Sequence, residues 1–185
     1  MKEEIFEQIN TSVKFRREWA MPDKWTFLIQ PIREIVFKYV GDGKGWIGPF
    51  AGENSPAEIT NDLNPERPTT FHLHAKEFAM QLQGDYNGVL FDPPYSLTQV
   101  KECYNSIGID LMSKDDVTMF PANIKDAIAP RIKVGGIAMC FGWDTIGFGK
   151  NRGFELLEIL LVCHGGRHND TIVTVERKFQ YTLFL

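Results

Sequence analysis

The sequence predicts an α/β protein: one open sheet, mostly parallel, with an antiparallel hairpin at its edge. Three observations predict it. Short apolar runs alternate with amphipathic, helix-like runs through the middle of the chain, the pattern of strand–helix–strand units. The last two apolar runs, 154–163 and 171–176, are joined by the polar loop 165–170, as in a hairpin. The 185 residues are 43% hydrophobic and 24% charged, which suits one domain with a single sizeable core and excludes a disordered or fibrous chain.

Taken in order, residues 1–25 read as a charged N-terminal extension, with a short helix over 3–13 and a turn at Pro22-Asp23. Residues 26–40 are amphipathic: Ile32, Ile35, Val36 and Tyr39 recur at helical spacing, Pro31 is tolerated in a first turn, and Gly41, Gly43 and Gly45 end the helix. Trp46-Ile47 is a short buried strand, and 48–54 a turn-rich loop. Residues 58–63 and 69–73 read as two further strands, and 75–82 as a helix. The apolar run 87–91 (NGVLF) is a strand ending at Asp92-Pro93-Pro94-Tyr95, after which Ser96 caps a helix over 97–106. A helix follows over 121–132. Gly135-Gly136 reads as a turn into a strand at 137–143, and the hairpin closes the sheet.

Asp+Glu 24 against Lys+Arg 20 give a net charge of −4, so any nucleic-acid contact needs a local basic face. Three cysteines at unpatterned spacings (103, 140 and 163) make neither a disulfide framework nor a zinc site and read as reduced core thiols. No run approaches the ~18 apolar residues of a membrane span, and charges occupy the place of a signal peptide's apolar core. The expectation is a cytoplasmic protein, of a bacterium or a phage-infected host, with no membrane partner.

The tetrapeptide Asp92-Pro93-Pro94-Tyr95 carries the chemistry. In an open α/β sheet, ligands bind at the carboxyl ends of the strands, where Asp92 stands. Two prolines fix their own φ and remove two N–H donors, leaving carbonyls with no ladder to join. The Asp92 carboxylate and the Pro93 carbonyl then form two rigid acceptors, a match for one planar NH₂ group, and Tyr95 adds a flat face for stacking. Drawing both N–H bonds toward acceptors makes the amine nitrogen a better nucleophile.

Asp92-Pro93-Pro94-Tyr95 resembles the catalytic motif of the S-adenosylmethionine-dependent amino-methyltransferases, above all the DNA adenine-N6 methyltransferases of the small phage type. Pro49-Phe50-Ala51-Gly52 is similar to that family's first cofactor motif, Asn61-Asp62-Leu63-Asn64 to its acidic motif, and residues 26–32 to its upstream cofactor motif. The order of motifs resembles the gamma arrangement. The resemblance implies a Rossmann-like methyltransferase sheet in a single domain, 1–185, without a separate recognition domain. It implies S-adenosylmethionine as cofactor, with Pro49, Phe50, Ala51 and Gly52 beside its methionine half, Asp62 and Leu63 beside its ribose, Phe27 and Pro31 closing its far side, and Ala75 and Phe78 beside its adenine. It implies DNA as partner, a flipped base stacked on Tyr95, and adenine N6 ahead of cytosine N4. RNA guanine or protein glutamine as target, or a non-catalytic partner subunit, are the alternatives.

The chain departs from the motif at Gly48, where Asp is usual, at Glu53-Asn54, where a glycine is usual, and at His74, where an acid is usual. Only nine residues separate Gly52 from Asp62. Weak affinity, an unusual loop geometry and loss of the cofactor all stay open. Expected DNA backbone contacts are Arg16, Arg17 and Lys24, then Lys150, Asn151 and Arg152 in a flexible basic loop (147–153), then Arg167 and His168. With no room for a recognition domain, specificity is expected to be loose or supplied by a homodimer or a specificity partner.

Overall fold

The computed structural model describes residues 12–108 and 120–179, so most of the helix expected over 3–13 lies outside the described residues. They form a seven-stranded sheet between helices. The strands are β1 (Lys14–Trp19), β2 (Trp46–Gly48), β3 (Ile59–Thr60), β4 (Tyr86–Phe91), β5 (Ile132–Gly142), β6 (Phe154–Cys163) and β7 (Thr171–Lys178), in the spatial order β1-β6-β7-β5-β4-β2-β3. Neighbours are parallel except that β7 runs antiparallel to both β5 and β6. The predicted hairpin is therefore present, and β1 adds one more parallel strand on its outer side, drawn from the segment expected to be an extension.

The strands bury both faces because their side chains alternate. Val89 and Phe91 enter one apolar cluster and Leu90 the other; Ala138 and Cys140 point one way, Met139 and Phe141 the other. The first cluster is closed by α1 (Gln30–Val40) through Ile32, Ile35, Val36 and Val40. The second is closed by α2 (Ala75–Gln81) through Phe78 and by α4 (Phe120–Ile128) through Ile124 and Ile128. Each such side chain, fully buried, contributes roughly 1.5–3 kcal/mol. α3 (Leu97–Asn105) follows the Asp-Pro-Pro-Tyr turn, and the Ser96 hydroxyl caps it by accepting the Gln99 N–H at 3.2 Å.

Several expectations change. Thr26–Leu28 is a 3-10 turn rather than the start of α1, and the helix read as 121–132 ends at Ile128, with a 3-10 turn over Ala129–Arg131. Gly135 and Gly136 lie inside β5, where the pairing with β4 shifts register, rather than in a turn before it. The strand read over 58–63 is only Ile59–Thr60, and that over 69–73 is a single parallel bridge, Asn61 to Phe71. Of the three thiols only Cys140 is buried, and burial pushes its pKa up to about 12. Cys163 is half-buried and Cys103 exposed, so core placement fails for the latter.

One buried carboxylate fastens the layers. Glu158, on β6, is 1% exposed and takes the Arg16 Nε at 3.1 Å, the Tyr39 hydroxyl at 2.8 Å and the Lys38 ammonium. β1 and α1 are thus tied to β6 through one side chain, with Arg16 forming one arm of that pin.

Candidate active site

The carboxyl ends of β2, β3, β4 and β5 share one rim of the sheet. A cavity of about 520 Å³ opens there, within the usual size range of small-molecule sites. Three strand ends, two flanking segments and α3 line it. The loop after β2 supplies Pro49, Phe50, Ala51, Gly52 and Asn54; the end of β3 supplies Asn61, Asp62 and Leu63; the end of β4 supplies Asp92, Pro93, Pro94 and Tyr95. Lys24, Trp25, Thr26 and Phe27 close it from before α1, and Leu73, His74 and Ala75 from the start of α2.

β2 and β3 are parallel neighbours, yet only residues 49–58 join them, too few for a crossover helix. Hydrogen bonds take the helix's place. Ala51 N–H donates to the Asn61 carbonyl at 2.9 Å, and Asn61 N–H to the Gly48 carbonyl at 2.8 Å. The Asn61 side chain, buried, donates to the carbonyls of Pro49 (3.1 Å) and Leu73 (3.0 Å) and accepts the Leu73 N–H (2.9 Å). One amide thereby joins the β2 loop to the start of α2. The short link gives a tight loop, not a lost cavity.

Asp62 is the second clasp: its two oxygens accept the N–H groups of Gly52 (3.1 Å) and Asn64 (2.9 Å). A carboxylate has about four acceptor sites, so two remain toward the cavity. Gly52 has φ +56°, and a Cβ there would stand 3.0 Å from Cζ3 of Trp25. Trp25 is the wall over the loop, with the Lys24 ammonium and the Arg67 guanidinium each 4.9 Å from its ring and Arg67 paired to Glu53. Gly52→Ala imposes a left-handed alanine and pushes this ring aside. It is expected to cost about 1–2 kcal/mol in unfolding experiments and to weaken any ligand of the cavity; unchanged values for both would contradict the packing described.

At the other end, the Tyr95 hydroxyl donates to Asp92, with Thr26 beside them on the cavity wall. Burial pushes the Asp92 carboxyl up to about 6, the Tyr95 and Thr26 hydroxyls only partly opposing it; burial and the neighbouring carboxylate raise the Tyr95 phenol well above its ordinary value. Tyr95 N–H donates to Gln99 Oε1 at 2.7 Å, and its ring meets Trp143 edge to face at 5.8 Å. Burial also lowers the pKa of His74, whose Nδ1 accepts the Lys76 N–H at 3.3 Å and so caps α2.

Every expected cofactor residue except Pro31 and Phe78 lines this one cavity, and so do all four residues of the expected clamp. Pro31 is buried in the first turn of α1, and Phe78 is core, 1% exposed, packed on Phe71. Trp25 and Trp143 escaped the sequence reading; Thr26 and Asn61 stand inside the upstream and acidic motifs without a role of their own. Thr26 begins the amphipathic segment and Trp25 precedes it, so neither belongs to its apolar helix face.

The expected nucleic-acid residues divide. Arg167 and His168 lie on the β6–β7 loop, at the same rim as Asp92 by the strand register, and both are exposed. Lys150 and Arg152 precede β6, whose first residue pairs with the end of β7, and so lie at the opposite end of the sheet. Arg152 is committed to Asp126 (2.7 Å) and the Phe148 carbonyl (2.9 Å). The loop expected to be flexible is pinned: Glu176 accepts the N–H groups of Phe148 and Gly149, and a Cβ on Gly147 would collide with that carboxylate. Arg17 reaches Cys163 Sγ at 3.2 Å, and Lys24 lines the cavity. Among the described residues no helix is long and apolar enough to cross a membrane, and no group of three His, Cys, Asp or Glu could hold a metal ion.

At the level of sequence, no family model and no curated protein matches the chain. Solved structures do. TrmN from Thermus thermophilus superposes with a TM-score of 0.55 at 14% identity, over 82% of this chain and 49% of that one, so the chain spans about half of TrmN's length. The yhhF protein of Escherichia coli, assigned as a methyltransferase, gives 0.51 at 11% identity over 88% and 92% of the two chains. HI0767 of Haemophilus influenzae, assigned as a methylase, gives 0.50 at 10% identity over 80% and 89%. What the chain shares with them is the architecture: it has the Rossmann-like methyltransferase fold.

Proposed function

We propose that the protein transfers a methyl group from S-adenosylmethionine to an exocyclic amine, adenine N6 in DNA being the target the clamp suits best. One observation carries this reading: the glycine loop, the β3-end acid and the Asp-Pro-Pro-Tyr turn line a single cavity, so a donor held by the first two lies beside the third. The residues present fit that cofactor. Gly52 leaves the space a Cβ would fill, Asp62 keeps acceptor sites for ribose hydroxyls, and Phe50, Leu63 and Ala75 offer apolar walls.

When bound, S-adenosylmethionine supplies an electrophilic methyl carbon. The chain's own residues do the rest. Tyr95 fills one acceptor site of Asp92, leaving others for an N–H of the target. The Pro93 carbonyl takes the second N–H, and the enclosed setting strengthens both bonds by excluding water. With a pKa of about 6, Asp92 is ionised at neutral pH and basic enough to receive the proton the amine releases.

The rate is therefore expected to rise with pH through about 6, because only the carboxylate accepts both from Tyr95 and from the amine. A profile flat between pH 5 and pH 7 would remove Asp92 from the chemistry. The direct test is incubation with methyl-labelled cofactor and unmethylated plasmid DNA, with RNA and protein as competitors. Label confined to protein or RNA would move the target; label nowhere, with sinefungin binding absent by calorimetry, would withdraw the reading.

A further inference from the structure

Trp143 stands immediately after β5, the strand beside the one that ends in Asp92. It is 41% exposed, does not line the cofactor cavity, and has no part in the chemistry above. Its ring and that of Tyr95 meet at 67°, so the two make a corner at the mouth of the clamp.

Both walls of that corner are fixed. Asp144 Oδ1 takes the Ile146 N–H at 2.7 Å, and the buried Lys125 donates to the carbonyls of Ile146 (2.9 Å) and Gly147 (3.0 Å), which pins the backbone beyond Trp143. Tyr95 is held through its hydroxyl by Asp92 and through its N–H by Gln99. A large aromatic ring kept in water on a rigid backbone, beside two acceptors, offers a π-face for stacking. A glutamine side chain has no ring to cover that face; a nucleobase does.

We propose that Trp143 is a substrate-positioning residue, a shelf on which a nucleobase of the substrate strand stacks at the mouth of the clamp. This rests on the methyl-transfer reading and deepens it: the substrate is a nucleic acid with an unpaired base, not a protein amide.

The test measures binding of fluorescein-labelled single-stranded 12-mers, as DNA and as RNA, to the full chain in the presence of sinefungin, by anisotropy. Trp143→Ala is expected to weaken binding about 10-fold or more, within the range of one base–aromatic stack, and Trp143→Phe to recover most of it. Sinefungin affinity by calorimetry should be the same in all three proteins. Binding by Trp143→Ala within twofold of the parent, or no binding of either strand by the parent, overturns the shelf. Failure of sinefungin to bind the parent instead overturns the methyl-transfer reading, while the strand-binding comparison still reports on Trp143.

Discussion

Replacing Asp92 with alanine is expected to lower methyl transfer by a factor on the order of 10² or more, the loss seen when one preorganised polar group is removed from a reacting centre. Cofactor affinity is expected to change little, since Gly52 and Asp62 lie on other strands' ends. Stability is expected to move the other way. The carboxyl's pKa is raised from 3.8 unfolded to about 6 folded, so between those values the folded state binds more protons than the unfolded one. Stability therefore falls as pH rises from about 4 to about 6, and at neutral pH the charged group costs on the order of 2–3 kcal/mol. Asp92→Asn keeps an acceptor for Tyr95 but has no charge to bury, and should unfold at a higher temperature at pH 7.5 with no gain at pH 4. A carboxylate retained at such a cost fits a group kept for its chemistry; a lower melting temperature for Asp92→Asn at pH 7.5 would make the carboxylate a structural element instead.

Asn61→Leu is the second large effect. The amide is 1% exposed and satisfies the carbonyls of Pro49 and Leu73 and the N–H of Leu73. Leucine fills similar space and leaves three backbone groups without that partner, at roughly 1–3 kcal/mol for each one buried. A total of about 3–9 kcal/mol is a large part of an ordinary domain's stability. Denaturant unfolding should show it as a lower midpoint, with sinefungin affinity lost alongside, because the same amide joins the two loops that form the cavity. Asn61→Asp keeps only the acceptor and should fall between. A leucine variant as stable as the parent would mean the short β2–β3 link is held by something else.

Much of this architecture was legible because it is written locally. The run ending at Phe91 alternates between two apolar faces and stops at two prolines, so the strand end and the rim position of Asp92 follow from adjacent residues. Ser96 as a cap and the period of α1 are equally local. What escaped depends on partners far along the chain. β1 reads as a charged tail because its partner, β6, begins about 140 residues later, and Arg16 looks available until Glu158 is placed beneath it. The glycine-rich stretch 147–153 looks flexible until Glu176 reaches in from β7. Thr26 gives no periodic signal, because its place is on the cavity wall with Asp92 and Tyr95. Asn61 was visible as part of a motif, but the neighbouring acid drew the functional reading, and the amide's role as a brace appears only when the chain turns back on itself at Leu73.

The clamp is tested most directly by following labelled methyl groups from S-adenosylmethionine into unmethylated DNA and identifying the labelled nucleoside after digestion. The prediction is N6-methyladenine from the parent chain and none from Asp92→Ala. Equal labelling by the two proteins, or label on a ring carbon instead of an exocyclic nitrogen, would contradict it.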